Sequence, residues 1–565
     1  MGLLNKKKKK KLGGRGGGAT AREQSPLRPK GVAKPAPCGL EGCPNHNPIR
    51  KAMMTITKME ALGRSQDEIF ADAFNLFAEM TPLLSVCGRV CPHPCESSCN
   101  RKDRDSAVGI NCIERFLGDY ALEKGLKPPM LTEEKRSEKV AVIGSGPGGL
   151  SCAYQLARRG YNVTIFEAFP KTGGMLRYGI PDYRLPQATL DAEVQRIADM
   201  GVEIKVNTKV GTDVSYDDLK KEFSSAFIAL GAHTGLKLRV DGEDAPNVMT
   251  GIDLLHRVAA GEEVELGDNV VVIGGGDTAI DAARIARRLG AKATILYRRT
   301  RTEMPAIDEE IVGAEEEGVR IDLLAAPIEI YNDGTKATGM KCQRMELGEP
   351  DDSGRRRPVP IKGDTYDLEF STLVTAISQA PDFTGFDEFI EGRDWFKVDE
   401  KFQTKVENAF AGGDNVNLGL VIDAVYHGRR AAEAIHAQLS GEAMPEETKE
   451  SAIHYDKMVG TFYEKAEKAK VVEMAVDERL KSLTAEIAAT LPADIIVAEA
   501  ARCMSCGMCF DCGSCWSQCQ DSAINKPLEK GGPVVDRVAY KYKYEVCTGC
   551  KKCAEQCPCG WLEMH

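Results

Sequence analysis

Eleven of the chain's twenty cysteines fall between Cys503 and Cys559, at spacings suited to metal chemistry. Cys509, Cys512, Cys515 and Cys519 read C-x2-C-x2-C-x3-C. Cys547, Cys550, Cys553 and Cys557 repeat the run, with Pro558 after the last. A CxxC loop wraps one corner of an iron–sulfur cubane, and a distant fourth thiolate closes the coordination. A zinc ribbon needs only four ligands and leaves the doubled run unexplained. Gln520 stands where the first run would usually carry Pro. Cys503 and Cys506 add another CxxC just upstream, so a shifted register is open. Seven more cysteines lie between Cys38 and Cys112, including Cys38, Cys43 and the ladder Cys87-x3-Cys91-x3-Cys95-x3-Cys99. By spacing alone an iron–sulfur cluster, zinc and plain buried thiols all remain open there. The long middle holds only Cys152 and Cys342.

Two glycine-rich loops carry the other chemistry. Lys139-Val-Ala-Val-Ile143 runs into Gly144-Ser-Gly146-Pro147-Gly-Gly149, then a helix from Leu150 to Arg159 and a strand from Tyr161 to Phe166 ending at Glu167. This is the order of a dinucleotide site. Gly144 makes the turn, Gly146 lets backbone approach a pyrophosphate, Gly149 lets helix and strand pack, and Glu167 can take a ribose hydroxyl. Helix N–H groups face the phosphates. The unit recurs about 130 residues on, where Asn269-Val-Val-Val-Ile273 meets Gly274-Gly-Gly276-Asp277-Thr278-Ala279. Its second strand, Ala293 to Tyr297, ends not on an acid but on Arg298 and Arg299, with Arg301 close by. Guanidinium groups pair with a 2′-phosphate that a carboxylate would repel, so this loop is expected to prefer NADP(H), with NAD(H) the alternative.

The elements that must position these residues follow from length and composition. At 565 residues three or four domains are expected, and 42% hydrophobic with 28% charged residues is the usage of a soluble globular protein. No run approaches a membrane span. Residues 1–37 hold eleven Lys or Arg against one acid within a net charge of −10, and read as a solvated basic tail, so the acidic body argues against nucleic acid as a partner. Bunched cysteines without an export signal point to a reducing compartment, the cytoplasm. No CxxC lies between residues 113 and 502, so flavin electrons cannot leave through a dithiol there.

The doubled C-terminal run resembles two-cluster bacterial ferredoxins, in which three cysteines of one run join the fourth of the other. That resemblance implies one [4Fe–4S] cluster on Cys509, Cys512, Cys515 and Cys557, and a second on Cys547, Cys550, Cys553 and Cys519. Two dinucleotide fingerprints resemble the two-dinucleotide-binding-domain flavoproteins, with the nicotinamide domain inserted into the FAD domain. Asn408-Ala-Phe-Ala-Gly-Gly413-Asp414 then supplies the returning flavin motif, with a helix from about Val421 to Leu439, and Phe227–Gly231 and Leu373–Ile377 resemble the crossover strands. Cys87-Gly-Arg-Val-Cys91-Pro, Cys95-Glu-x-x-Cys99, Ile110-x-x-Ile-Glu114-Arg, Gly174-Met-Leu176-Arg-Tyr-Gly-Ile-Pro181 and Tyr297-Arg-Arg-Thr-Arg-Thr-Glu-Met-Pro305 resemble the NADPH-dependent glutamate synthase small subunit. That family implies a helical N-terminal domain with a [4Fe–4S] cluster on Cys43, Cys91, Cys95 and Glu114, and flavin contacts at Gly174 and Leu176. A second family cluster uses a CxxC upstream of Cys38, which this chain lacks; only Cys38 and Cys99 remain, with Cys87 nearby.

The expected organisation is a basic disordered tail (1–37), a helical Fe–S domain (38–136), and an FAD-binding domain in two parts (137–255 and 366–445) around an NADP-binding domain (256–365). A helical linker (446–500) and an α+β 2[4Fe–4S] ferredoxin domain (501–565) complete it. The C-terminal cysteine segment resembles the DsrL-type iron–sulfur flavoproteins associated with dissimilatory sulfite reductase. The resemblance implies an oxidoreductase exchanging electrons between NAD(P)H and that partner through FAD and [4Fe–4S] clusters. The alternatives are an electron-input subunit of glutamate synthase or of a 2-oxoacid:ferredoxin oxidoreductase, and a non-catalytic cluster scaffold. A homodimer stays open, and no protein acid or base is expected to catalyse a hydride transfer between cofactors.

Overall fold

A computed structural model describes residues 25–57, 63–392, 395–526 and 540–565. Two five-stranded parallel sheets form its centre. The first has the order Ala409–Ala411, Ser225–Ile228, Lys139–Ile143, Asn162–Phe166, Glu203–Lys205. Its middle strands are buried after the first residue, as strands covered by helices on both faces must be. The second has the order Arg320–Leu323, Lys292–Tyr297, Asn269–Ile273, Thr372–Thr375, Val248–Thr250. The expected boundaries at 255 and 366 therefore move. Val248–Thr250 and the wholly buried Thr372–Thr375 are bonded into the second sheet. The chain crosses between the units where Thr234–Gly235 pairs with Gln379–Ala380. A three-stranded antiparallel sheet (Ala325–Asn332, Ala337–Pro350, Arg356–Glu369) extends the second unit.

The N-terminal domain is helical. Between Cys43 and Cys87 it has Ile49–Thr57 and Gln66–Ala78, the latter started by a Ser65–Glu68 capping box. Its C-terminal carbonyls are taken by the first glycine-loop helix: Tyr154 Oη donates to Ala78 O at 2.6 Å, and Gln155 and Arg158 donate to Glu79 O. Leu84–Val90 and Ile110–Glu123 cross at two glycines, where a Cβ on Gly88 would overlap the Arg115 backbone and one on Gly118 the Ser85 backbone. One apolar core runs from these helices through the first sheet's helices to Ile496 and Ala500.

Two expectations at the chain's ends are corrected. Residues 446–492 form no helical linker. Apart from short turns and Val476–Arg479 they run as an extended strap. Their apolar residues dock one at a time, Ile453 and Tyr463 in one cluster and Ile487 beside Tyr183, Leu255 and Ile285 in another. Other domains satisfy the strap's backbone, with Arg115 donating to Ala488 O and Arg101 to Glu464 O. Residues 1–24 of the basic tail lie outside the described residues, but 25–37 are ordered by pairing. Pro29–Gly31 forms an antiparallel strand against Leu562–Met564.

Candidate functional site

The first cleft opens where Lys139–Ile143 turns at Gly144, whose φ is +99°. A Cβ at Gly144 would overlap the Ala229 carbonyl, and one at Gly149 the Gly144 carbonyl; at Gly146 it would meet no atom within 4 Å. Gly146 thus faces open space at the mouth of Pro147–Arg158, a helix that begins with Pro and presents free N–H groups. Gly144, Gly146, Pro147, Glu167, Gly174, Gly413 and Asp414 all line this cleft. Gly149 packs behind it. Glu167 is buried and accepts from Ser145 N at 3.0 Å and Phe169 N at 2.8 Å, so it fixes the glycine loop as well as facing the cleft. Leu176 is corrected: in the short helix Met175–Tyr178 its side chain turns into the core, and Met175 lines the cleft instead.

Opposite, Gly413 N donates to His427 Nδ1 at 3.0 Å. Burial pushes the Asp414 carboxyl up to about 6, opposed by the Gly419 N–H at 3.2 Å and reinforced by Asp423. His233 and Phe169 were not anticipated. Both line the cleft, and burial lowers the His233 imidazole to about 4. Their only signal in the sequence was adjacency, His233 after the Phe227–Gly231 strand end and Phe169 after Glu167.

The second cleft repeats the plan. A Cβ at Gly274 would overlap the Ala376 carbonyl, while Gly276 has only Pro305 near, at 3.9 Å. Gly274, Gly276, Thr278, Arg298 and Arg299 line it. Ala279 is wholly buried against the strand, and Asp277 accepts from Ile307 N at 3.0 Å, tying down the next loop. The arginine pair divides its labour. Arg299 is buried, paired with Asp351 at 2.7 Å and donating to Arg356 O at 2.7 Å. Arg298 is exposed at the rim, joined by Arg355 from the turn of the antiparallel sheet, a contributor far away in sequence. Arg301 pairs with Glu315. Leu418 lines this cleft while Gly412–Asp414 and Ala424 line the first, so one segment separates the two.

The cysteines gather into sets. Cys43, Cys91, Cys95 and Glu114 line one small buried cavity with Phe77, Ile110 and Ile422. Asn47 Nδ2 donates to Glu114 Oε1 at 3.4 Å, and His93 Nε2 lies 3.3 Å from Oε2. Burial, then Glu114, drives the Cys91 and Cys95 thiols upward, and Cys43 is pushed up to about 11, mainly by burial. Buried acids of one sign are stabilised when iron supplies the opposing charge, so this donor set fits a cluster. Ile422 also begins Val421–Ser440, the helix beside Asp414, so the cavity lies against the flavin cleft's wall. Cys87 lies near Cys91 and Glu114, and Cys38 has Cys99 among its neighbours instead.

Near the C-terminus Cys509 and Cys515 have Cys512 and Cys557 as neighbours, and Cys553 has Cys519, Cys547 and Cys550. Among the described residues no three Cys, His, Asp or Glu side chains converge tightly enough for a single ion. A cubane takes one ligand at each of four irons and needs them spread. Cys152 and Cys342 are buried in separate cores. Among the described residues no helix is long and apolar enough to cross a membrane.

Comparison with known proteins agrees with this layout. The family Pyridine nucleotide-disulphide oxidoreductase matches residues 138–438, and the family Dihydropyrimidine dehydrogenase domain II, 4Fe-4S cluster matches residues 33–126. The chain is 36% identical over 513 residues to the NADPH-Fe(3+) oxidoreductase subunit beta of Geobacter sulfurreducens, covering 83% of this chain and 75% of that one. It is 41% identical over 434 residues to the NADP(+)-dependent formate dehydrogenase subunit beta of Moorella thermoacetica (72% and 60%). It is 35% identical over 427 residues to the glutamate synthase [NADPH] small chain of Escherichia coli (70% and 88%). With its two dinucleotide clefts, its cysteine sets and these relatives, the chain belongs to the glutamate synthase small-chain-like family of NADPH-dependent iron–sulfur flavoprotein oxidoreductases.

Proposed function

We propose that the chain carries electrons between NADP(H) and a separate reductase of the dissimilatory sulfite reductase type. The observation that carries the reading is the serial layout. The segment from Leu418 to Ala424 joins three sites, with Leu418 lining the second cleft, Ala424 the first, and Ile422 the cavity of the Cys43 set. When bound, the cofactors supply hydride transfer between nicotinamide and flavin and one-electron storage in clusters. The chain supplies place and environment. Gly144, Gly146, Pro147 and Gly174 cradle the FAD pyrophosphate side, with Gly149 packing behind them; Glu167 takes a ribose hydroxyl, and Gly413 and Asp414 close the opposite wall. Gly274, Gly276, Asp277, Thr278 and Ala279 shape the nicotinamide cleft, where Arg298 and Arg355 meet a 2′-phosphate and Arg299 holds the sheet that presents Arg355.

At the far end Cys550 is exposed, with Lys551 and Lys552 beside it and Trp516, Tyr544 and Val546 on the surface nearby. Such a surface suits a protein partner. The sulfite reductase assignment rests on the resemblance of the C-terminal cysteine segment. Relatives are subunits of a formate dehydrogenase and of a glutamate synthase, so both enzymes are candidate partners in the test.

The test is anaerobic stopped-flow spectroscopy with NADPH and with NADH, followed by addition of each candidate partner. Flavin bleaching by NADPH is expected to precede loss of cluster absorbance. The paired change Arg298→Ala and Arg355→Ala should raise the NADPH concentration needed ~10–100-fold and leave NADH unaffected. Cluster reoxidation by sulfite reductase, and not by a glutamate synthase large subunit, supports the assignment; the reverse removes it.

A further inference from the structure

We propose that Cys38, Cys99, Cys503 and Cys506 hold a further [4Fe–4S] cluster, built from the two ends of the chain. The proposal rests on the iron–sulfur reading of the protein. Cys38 and Cys43 stand at opposite ends of one turn, Cys38–Gly42 with Cys43 as its cap, so a ligand set begun by one lies beside that begun by the other. That turn is pressed onto the segment carrying Cys95 and Cys99: a Cβ on Gly42 would lie 2.7 Å from the Cys95 Cα. The same two segments thus offer Cys43 and Cys95 to one side and Cys38 and Cys99 to the other. By themselves Cys38 and Cys99 are half a site.

The missing half arrives from about 400 residues downstream. Helix Ala493–Ala501 buries Ile496 and Ala500 in the N-terminal core. Its end is held there by polar contacts: Glu499 accepts from Gly109 N at 2.6 Å, Arg101 donates to Arg502 O at 2.8 Å, and Arg502 donates to Ala107 O at 2.9 Å. The CxxC that follows is therefore anchored to the N-terminal domain. Its turn passes through Ser505 and Gly507, both at positive φ. Asn100, next to Cys99, donates to Cys506 Sγ at 3.4 Å and to Ile453 O at 2.8 Å. Arg50 donates to Lys34 O at 2.6 Å and also to Cys506 O, setting a guanidinium beside the CxxC turn. Ala36, Ile453, Tyr463 and Met504 give apolar cover.

Four thiols, one cation and an amide donor aimed at sulfur are the surroundings that suit a cluster. Cys38 packs against the small apolar cluster that contains Cys506, and Lys34 N donates to Gly507 O at 3.0 Å, holding the two segments together. The site also fills a gap in the series. Gly507 N donates to Cys559 O at 2.7 Å, and Cys559 Sγ lies 3.9 Å from Cys557 Sγ, so the quartet adjoins the first ferredoxin set. Tyr463, donating to Met504 O at 2.7 Å, packs in the same apolar cluster as Cys506.

The test is iron and acid-labile sulfide per chain in the full-length protein purified without oxygen, with electron paramagnetic resonance of the reduced sample. Four clusters correspond to about sixteen irons, three to about twelve. Cys503→Ser with Cys506→Ser should lose about four irons and four sulfides while flavin content stays; Cys38→Ser should give the same loss from the other end. The combination should lose no more than either. Cys509→Ser with Cys512→Ser serves as a separate loss, so failure of the ferredoxin reading is distinguishable. Twelve irons in the wild type, or unchanged iron in the Cys503/Cys506 variant, overturns the proposal. Stoichiometric zinc that disappears with Cys503 and Cys506 overturns it too. Should that variant not fold, the wild-type count alone decides.

Discussion

Gly146 and Gly149 belong to one fingerprint and carry opposite constraints. A side chain at Gly146 meets no protein atom, and its φ of −68° suits any residue. Gly146→Val is therefore expected to leave stability within ~0.5 kcal/mol and to abolish flavin retention on purification. Gly149→Ala drives a methyl into the Gly144 carbonyl and should destabilise by about 1–3 kcal/mol even without flavin. Urea midpoints and flavin absorbance separate the two; flavin retained by Gly146→Val would show that backbone is not where the cofactor lies. Asp414 gives a pH signature. Its folded pKa of about 6 lies above the unfolded value, so the folded state binds the extra proton between roughly pH 4 and 6. Stability falls as pH rises through that window and is flat above it. In flavin-free protein, Asp414→Asn should therefore gain more over the wild type at pH 7 than at pH 4.5, by about 2 kcal/mol. An equal gain at both values would mean the carboxyl is not raised by burial. These residues were legible because glycine loops and acids write backbone geometry directly into sequence. Leu176 came with the family motif, and in the short helix Met175–Tyr178 it is the neighbour Met175 that lines the cleft; Arg355 was hidden because a sheet turn brings it in from afar.

Elements were legible where they repeat a unit. Both strand–loop–helix–strand runs lie where the glycine fingerprints placed them, and the long helix Val421–Ser440 follows the Gly413-Asp414 motif as the resemblance implied. The strap was not, because its stability comes from other domains and leaves no internal period. Glu486 shows the dependence. It pairs with Arg89 at 2.7 Å and Arg115 at 2.9 Å, both guanidiniums almost fully buried. Glu486→Ala leaves Arg115 relying on weaker partners and should cost about 2 kcal/mol, a broken buried pair discounted because the glutamate is partly exposed. Limited proteolysis is the readout, since several domains share no single melting point. Faster cleavage within residues 446–492 is expected; unchanged cleavage would show that apolar docking of Ile487 and Leu491 suffices.

At the scale of the molecule, the two cysteine blocks that lie apart in sequence meet in space, which spacing rules cannot see because they count along the chain. The same meeting joins the ends. Pro29, Lys30 and Gly31 lie opposite Met564, Glu563 and Leu562, with Arg28 and His565 exchanging backbone hydrogen bonds beyond them. Removing the chain through Gly31 should expose the Leu562–Met564 edge, speed amide exchange there and hasten iron loss from the C-terminal sets. Unchanged exchange would make the strand a passenger. The seam also has a consequence for synthesis. The ribosome makes Pro29 some 530 residues before Leu562, so Pro29–Gly31 has no strand to pair with until Leu562–Met564 has been made. Cys38, a few residues beyond that strand, waits with it. Whatever folds early on the nascent chain, this closure waits for Leu562–Met564.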